Sequence, residues 1–194
     1  IENNTPLQPG DLVLIDAGAS HSLYNADITR TFPINGRFSP AQAAVYQVVL
    51  EAQLAAIAAV QVGNTWQQMH DAAVRVLTQG LMHLGILTGD LDTLIQDGAY
   101  KPYYMHSTGH WLGLDVHDVG SYANRAGESQ AFEQGMVVTV EPGLYFGADD
   151  NRVPIAYRGI GIRIEDDVLV TATGNEILTA GVPKTVADIE ALMQ

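Results

Sequence analysis

Residues 105–120 read Met-His-Ser-Thr-Gly-His-Trp-Leu-Gly-Leu-Asp-Val-His-Asp-Val-Gly and contain three of the six histidines of the chain, His106, His110 and His117. Histidine is the commonest metal ligand and the side chain that titrates closest to neutral pH. Three imidazoles so close together therefore indicate metal ligands or proton carriers. A polar loop with surface histidines is the alternative that this stretch alone leaves open, and the sequence on either side favours the first interpretation.

The composition limits the class of protein and the kind of site. The 194 residues contain no cysteine, so any metal must be held by carboxylates and histidines. A net charge of -13 argues against a nucleic-acid or anionic-membrane partner. The most apolar helical stretch, 52–60, is too short to span a bilayer, and residues 1–4 carry no basic signal-peptide start. We expect a single domain over 1–194 in a cytoplasmic protein that binds neither nucleic acid nor membrane.

The order of the predicted elements indicates an α+β fold. Two apolar segments near the start of the chain flank a polar turn and predict a hairpin. Ser39 and Thr65 are N-cap signals for two helices, which end before Gly63 and at Gly85. This order is typical of an antiparallel sheet covered by helices. The predicted elements are strands over 11–17 and 24–33, helices from 40 and 66, a short helix over 90–96, an extended aromatic segment over 101–106, strands over 136–140 and 159–170, and a closing helix over 186–193.

Four acidic residues occur inside or at the end of the strand-like segments, namely Asp16, Asp27, Glu141 and Glu165. Buried carboxylates without cations would repel one another strongly at low dielectric. Two divalent ions are their natural counterpart, and one histidine of the 105–120 segment would complete a set of five ligands. Carboxylates with one imidazole suit manganese, cobalt or zinc, as in two-metal hydrolases. Because scattered acids occur in any acidic protein, the spacing alone leaves a structural role open.

The second predicted helix carries two further histidines, His70 and His83. A lone histidine within a helix is more often packed or solvated than a metal ligand. We therefore interpret both long helices as structural elements and not as part of a site.

Five sequence motifs resemble the catalytic domain of bacterial Xaa-Pro aminopeptidases (aminopeptidase P). The resemblance covers nearly the whole chain. It implies the pita-bread fold, which these enzymes share with prolidase, creatinase and methionine aminopeptidase. The motifs are Leu-Ile-Asp-Ala-Gly at 14–18, Ala-Asp-Ile-Thr-Arg-Thr-Phe-Pro at 26–33, Gly-His-Trp-Leu-Gly-Leu-Asp-Val-His-Asp-Val-Gly at 109–120, Thr-Val-Glu-Pro-Gly-Leu-Tyr at 139–145 and Gly-Ile-Gly-Ile-Arg-Ile-Glu-Asp-Asp at 159–167.

The resemblance implies a dinuclear metal site, usually of manganese, in which Asp27 and Glu165 bridge the two ions. Glu141 would also act as the general base, and Arg163 would orient ligand carboxylates. The five implied ligands are Asp16, Asp27, His110, Glu141 and Glu165.

The resemblance also implies a substrate pocket beside the metal ions. His106 and His117 would line it, stabilise the developing oxygens of the attacked carbonyl and hold the peptide. Tyr145 and Arg125 are further candidates for this pocket, and ordinary packing or surface roles stay open for both.

The implied reaction is hydrolysis of the bond between an N-terminal residue and a following proline. The partners would be peptides with proline in the second position. Prolidase, which cleaves only dipeptides, shares all five ligands and is an alternative. A catalytically inactive module that binds peptides or proteins is another.

Relatives of this kind carry an N-terminal domain and the leading helices of the first half of the fold, and this chain begins a few residues before the first strand. We therefore expect a pita-bread fold with a truncated first half and an exposed apolar sheet face. We also expect the chain to associate with itself as a homo-oligomer or with the missing segment.

Overall fold

The structure is a computed structural model that describes residues 4–194 of the chain. Its elements form an α+β arrangement of antiparallel sheets and helices, as predicted. The strands are β1 (Leu12–Ala17), β2 (Ser20–His21), β3 (Tyr24–Asn25), β4 (Ile28–Pro33), β5 (Val137–Val140), β6 (Gly143–Tyr145), β7 (Gly161–Arg163), β8 (Asp166–Thr171) and β9 (Gly174–Ile177). The helices are α1 (Pro40–Ala59), α2 (Trp66–His83), α3 (Leu91–Gln96) and α4 (Val186–Leu192).

The first strands form a long hairpin in which β1 pairs antiparallel with β4, as predicted. A small hairpin of β2 and β3 is inserted between them. The side chains of β1 are half-buried or exposed, and Ile15 is exposed. The register places Asp16 opposite Thr29, so an acid of β1 lies beside the start of β4.

The two long helices begin where the sequence predicts, because each has a complete capping box. The Ser39 side chain accepts from the backbone N–H of Gln42, and the Gln42 side chain accepts from the backbone N–H of Ser39. Thr65 and Gln68 repeat this exchange at the start of α2. Loss of one such cap typically costs about 1 kcal/mol of stability.

The helices α1 and α2 pack closely against each other and form much of the core. Gly80 of α2 lies so near Val48 of α1 that an added Cβ would approach Val48 Cγ1 to 2.2 Å. A glycine at this position therefore allows the short distance between the helices. Each fully buried aliphatic side chain contributes about 1.5–3 kcal/mol to stability. Those at this interface include Val45, Val49, Leu77 and Leu81.

By length and apolar composition alone, α1 is also long enough to cross a membrane, and no other helix of residues 4–194 meets that test. Half of its apolar stretch is buried inside the fold. Even polar side chains of α1, such as Gln53, are fully buried there. These are the properties of a core helix.

The 159–170 segment, predicted as one strand, is two strands that belong to different sheets. β7 pairs with β6, whereas β8 lies between β5 and β9. The break occurs at Glu165, because its N–H donates to the carbonyl of Thr29 at 3.0 Å. The break between β7 and β8 therefore places Glu165, a predicted metal ligand, beside the first hairpin.

The 101–106 segment does not have the predicted extended conformation. The N–H groups of Tyr103 and Tyr104 both donate to the carbonyl of Tyr100, at 2.9 and 3.0 Å, and so form a turn. All three tyrosines are buried in the turn. Aromatic residues here reflect packing against the core and not a strand.

Candidate metal centre

Two predicted bridging ligands are fixed beside each other at the first hairpin. Asp27 immediately precedes β4, and Glu165 lies between β7 and β8. The Thr29 hydroxyl donates to Glu165 Oε2 at 2.6 Å. The Asp27 N–H donates to both carboxylate oxygens of Asp167, each at 3.2 Å. Hydrogen bonds between the two halves of the chain therefore bring together two acids that are far apart in sequence.

The segment that carries His110 runs along β5. The His110 N–H donates to the Thr139 hydroxyl, and the Thr139 N–H donates to the His110 carbonyl, both at 3.0 Å. At Gly109 an added Cβ would approach the Thr139 carbonyl oxygen to 1.9 Å, so a glycine is needed for this contact. Glu141 follows the end of β5, and its N–H donates to the Thr108 carbonyl at 2.7 Å. His110 and Glu141 are therefore positioned by the same pair of adjacent chain segments.

The hydrogen bonds of His110 determine which of its ring nitrogens is free. Nδ1 lies 2.9 Å from the carbonyl oxygen of Trp111, and because a carbonyl only accepts, Nδ1 carries the proton. In the neutral ring, Nε2 presents a lone pair at 3.3 Å from Asp27 Oδ2 and 3.8 Å from Glu141 Oε1. This lone pair and the two carboxylates repel one another unless a cation lies between them. The orientation suits a metal ligand.

Within residues 4–194, no lysine or arginine pairs with Asp27 or Glu165, whereas Arg163 lies beside Asp16 and Glu141. One ligand atom each from Asp27, His110 and Glu165 lie within 4.8 Å of one another. Burial, reinforced by the charge of Glu141, raises the pKa of Glu165 to about 9. Burial also raises the pKa of Glu141 to about 7, and burial together with Asp16 raises the pKa of Asp27. Glu165 Oε1 is buried without a hydrogen-bond partner among the described residues, and a divalent cation would satisfy it.

Asp16 differs from the other predicted ligands because its side chain is 42% exposed. The expectation that all four acids are buried is wrong here, since within residues 4–194 β1 has no neighbouring strand on its outer edge. Arg163 Nη2 donates to Asp16 Oδ2, and Arg163 Nε lies 3.9 Å from Glu141 Oε2. Arg163 therefore contacts two of the predicted ligands, as expected of a residue that orients them.

The predicted pocket histidines have different partners. His106 Nδ1 donates to a backbone carbonyl at 2.8 Å, so Nε2 accepts from the Tyr145 hydroxyl at 2.8 Å. Burial lowers the pKa of His106. Tyr145 also accepts from Arg163 Nη1 at 3.3 Å. His117 is exposed and packs edge-on against His110, with ring centroids 4.4 Å apart. The structure thus places both histidines beside the predicted metal ligands, and their catalytic roles remain predictions.

Comparison with known proteins identifies the family of this site. The sequence model of metallopeptidase family M24 matches residues 1–172. The chain belongs to this family. It is 57% identical over 192 residues to the Xaa-Pro aminopeptidase of Haemophilus influenzae, and the match covers 99% of this chain and 44% of that relative.

Solved structures agree with the M24 assignment. Pseudomonas aeruginosa aminopeptidase PepP is similar with a TM-score of 0.97 and 57% identity, over 99% of this chain and 43% of that one. Zinc-substituted Escherichia coli aminopeptidase P in complex with product has a TM-score of 0.94 and 52% identity, over 99% of this chain and 43% of that one. The expected pita-bread fold is therefore confirmed, and the chain spans less than half the length of these relatives.

Membership in a metallopeptidase family implies a divalent metal. The site formed by Asp27, His110 and Glu165 fits such an ion in the M24 chain, because it combines a free imidazole nitrogen with an unpaired buried carboxylate oxygen. The metal site predicted from sequence therefore agrees with the family assignment.

Three of the five predicted ligands, Asp16, His110 and Glu141, line a cavity of about 1060 Å³. Arg125 is exposed on the nearby 121–129 loop and does not line the cavity. The interpretation of α2 as structure alone is incomplete, because its first turns form one wall. No sequence signal marks this wall, since an aromatic or Met residue at helical spacing equally indicates core. The α2 residues that line the cavity are Trp66, Gln67, Met69 and His70.

Proposed function

We propose that this chain carries the dinuclear metal centre of an Xaa-Pro aminopeptidase, which hydrolyses the bond between an N-terminal residue and a following proline. The orientation of His110 carries the proposal, because a backbone carbonyl holds its Nδ1 and its Nε2 faces Asp27 and Glu141. The relatives support the reaction class, since proteins called Xaa-Pro aminopeptidase from Haemophilus influenzae and Escherichia coli match 99% of the chain.

Five side chains would hold two divalent ions, which we propose to be manganese. The donor set fits hard or borderline divalent ions, because it consists of carboxylates and one imidazole. When bound, such ions polarise a peptide carbonyl and lower the pKa of a coordinated water. The five residues are Asp16, Asp27, His110, Glu141 and Glu165.

The side chains of the chain itself would orient the ligands and move the proton. Glu141 lies 3.8 Å from His110 and 3.9 Å from Arg163, so its two oxygens face different groups. One oxygen can bind the centre while the other takes a proton and returns it to the departing proline nitrogen. That nitrogen belongs to a tertiary amide without an N–H, so the enzyme cannot recognise the bond through a backbone donor.

The residues around Tyr145 would bind the substrate. Its hydroxyl links His106 to Arg163, which contacts Asp16 and Glu141 in turn. A peptide carbonyl held near this chain of contacts would lie beside the metal ligands. His117, edge-on to His110, would close the other side of the same space.

Metal content tests the proposed centre directly. After equilibration with manganese and desalting, we expect close to two ions per chain, and Asp27→Asn should abolish tight binding of the pair because it removes a bridging charge. Asp11→Asn is a matched control, since Asp11 is exposed and, among the described residues, its side chain accepts only a local turn hydrogen bond from the Gln8 N–H. Unchanged metal content in Asp27→Asn would contradict the bridging assignment.

Substrate length separates the proposed activity from that of prolidase. The cavity of about 1060 Å³ extends from the metal ligands to Trp66 and Tyr122, and this space favours residues after the proline. We expect hydrolysis of an Xaa-Pro-Xaa tripeptide as well as an Xaa-Pro dipeptide. Cleavage of the dipeptide alone would indicate prolidase activity, and metal-loaded protein that cleaves neither would support the inactive peptide-binding alternative.

A further inference from the structure

His70 lines the cavity but has no part in the proposed reaction. It lies on the second turn of α2 and is half-buried. Its Nδ1 is 2.8 Å from the Thr108 hydroxyl, and its ring stacks on Tyr104 with centroids 5.7 Å apart. Both ring position and one nitrogen are therefore held by neighbouring side chains.

The hydrogen bonds of Thr108 with Tyr104 and His70 determine the tautomer of His70. The Tyr104 side chain is 1% exposed, and its hydroxyl has a single partner among the described residues, the Thr108 hydroxyl at 2.6 Å. A buried phenol hydrogen without an acceptor is costly, so Tyr104 donates to Thr108. Thr108 has one hydroxyl hydrogen and gives it to Nδ1 of His70. The proton of a neutral His70 is therefore on Nε2.

The Nε2–H of His70 is available to a ligand. Among the described residues it has no hydrogen-bond partner, and it is not among the buried polar atoms that lack one, so it is accessible from the cavity. Burial lowers the pKa of His70, which agrees with a neutral ring. The group is thus a fixed, uncharged donor in the cavity wall.

The position of His70 relative to His106 indicates which part of a peptide it would meet. Tyr104 lies between the two imidazoles, stacked on His70 and edge-on to His106 at 5.0 Å. His106 is the nearer to the metal ligands, since its Nδ1 lies 3.9 Å from Glu141 Oε2. His70 therefore lines the cavity farther from the metal ligands than His106 does, with the Tyr104 ring between the two imidazoles.

We propose that His70 is a further substrate-binding residue, whose Nε2–H donates to a main-chain oxygen of the peptide beyond the proline. This inference rests on the proposed aminopeptidase function for the identity of the ligand. It assigns to α2 a role in binding the part of the substrate that a dipeptide lacks. Thr108 and Tyr104 act as positioning residues, because they set the tautomer of His70.

A nitrogen NMR experiment tests the tautomer without any activity measurement. In protein labelled with 15N-histidine, the His70 signals are assigned by their loss in His70→Phe. We expect the pattern of a neutral ring protonated at Nε2, and titration with Ala-Pro-Ala should shift the Nε2 signal. A proton on Nδ1, or no shift of Nε2 at saturating Ala-Pro-Ala, would overturn the proposal.

Kinetics provide the second test, with a matched control on the same helix. His70→Phe keeps the ring stack but removes the donor, so KM for a tripeptide should rise about 10-fold, the typical effect of one hydrogen bond, with little change in kcat. KM for an Xaa-Pro dipeptide should change little, and His70→Gln, which keeps a donor, should recover part of the tripeptide effect. His83→Phe, at the exposed end of α2, should behave as the unchanged protein.

The two tests separate failure of this proposal from failure of the proposed function. If the unchanged protein cleaves tripeptides and His70→Phe behaves as His83→Phe does, the role of His70 is wrong and the aminopeptidase function stands. If the unchanged protein cleaves no peptide, the proposed function is wrong, and the Ala-Pro-Ala titration still decides whether His70 binds a peptide. A parallel loss of kcat and metal content in His70→Phe would indicate a structural role instead.

Discussion

Glu165 and Asp166 are consecutive buried acids, 1% and 0% exposed, in opposite electrostatic environments. Asp166 accepts from Arg30 at 2.8 Å, and from Lys184 and Gln53 at 2.7 Å each. Burial opposes ionisation, but Arg30 and Lys184 hold the pKa of Asp166 below its ordinary value. Among residues 4–194 the Glu165 carboxylate accepts only from the Thr29 hydroxyl, and burial raises its pKa to about 9.

This comparison distinguishes a structural acid from a ligand. Around Asp166, Arg30 also donates to the carbonyls of Val182 and Pro183, so the ion pair attaches the segment before α4 to the first hairpin. Arg30 and Lys184 thus neutralise Asp166, and these ion pairs, called the Asp166 clamp below, hold the two segments together. Arg30 also reaches the backbone carbonyl of Glu165, but no lysine or arginine of the described residues pairs with the Glu165 carboxylate, so its ionised form requires a cation from outside. A buried carboxylate oxygen with neither a cation nor a hydrogen-bond donor is therefore the better indicator of a metal ligand, since both oxygens of the nearby Asp167 accept from the Asp27 N–H.

The largest effect should follow removal of the clamp. Asp166→Ala leaves Arg30 buried and unpaired, and breaking a buried ion pair in this way typically costs about 3–5 kcal/mol. We expect the free energy of unfolding, measured by urea denaturation, to fall by this amount. A loss smaller than about 1 kcal/mol would show that the cations around Asp166 do not distinguish it from Glu165.

Metal removal should reveal the effect of Glu165 on stability, because its pKa is raised whereas that of Asp166 is lowered. Its folded pKa of about 9 exceeds the ordinary value of 4.5, so between these values the native metal-free protein binds more protons than the unfolded chain. Stability should therefore fall as the pH rises through this window, and Glu141 and Asp167, with pKa values raised to about 7, act in the same direction.

Urea denaturation at about pH 6 and about pH 8.5, with a chelator or with manganese, measures this effect. We expect the chelated protein to lose at least about 1 kcal/mol between the two, the free energy of one pKa unit, and manganese to reverse the trend. Glu165→Gln is the control, because it keeps the size of the side chain and should flatten the dependence. If the protein in chelator became more stable as the pH rises, the conclusion that no cation of the protein neutralises the Glu165 carboxylate would be wrong.

Removal of one of the two cations should sharpen the comparison. Lys184 is partly exposed and donates to both Asp166 and Gln53. Lys184→Met should lower the free energy of unfolding by about 1–2 kcal/mol, because Arg30 still pairs with Asp166. A loss as large as that of Asp166→Ala would mean that Lys184, and not Arg30, neutralises the acid.

The smallest effect should come from an ion pair on the surface. Arg75 and Asp92 pair at 2.8 Å, but their side chains are 58% and 76% exposed. Arg75→Ala should change the free energy of unfolding by less than about 0.5 kcal/mol in urea, since water screens such pairs. A larger loss would show that burial is not what makes the Asp166 clamp strong.

Local sequence patterns were sufficient for much of the fold. The hairpin of β1 and β4, the starts of α1 and α2 and the short α3 depend on alternation and capping among residues near in sequence. The break at Glu165 was not predictable in this way, because it results from a hydrogen bond to Thr29 in the other half of the chain.

The sequence by itself determined most of the elements and the acids and histidines available as ligands, because capping, periodicity and side-chain chemistry are properties of neighbouring residues. Only the tertiary structure decided that Asp16 is exposed, that Asp166 is neutralised while Glu165 is not, and that His70 directs an N–H into the cavity. Burial and hydrogen-bond partners set these properties, and they come from segments far apart in the chain. The same carboxylate or imidazole therefore acquires its role from the groups that folding places around it.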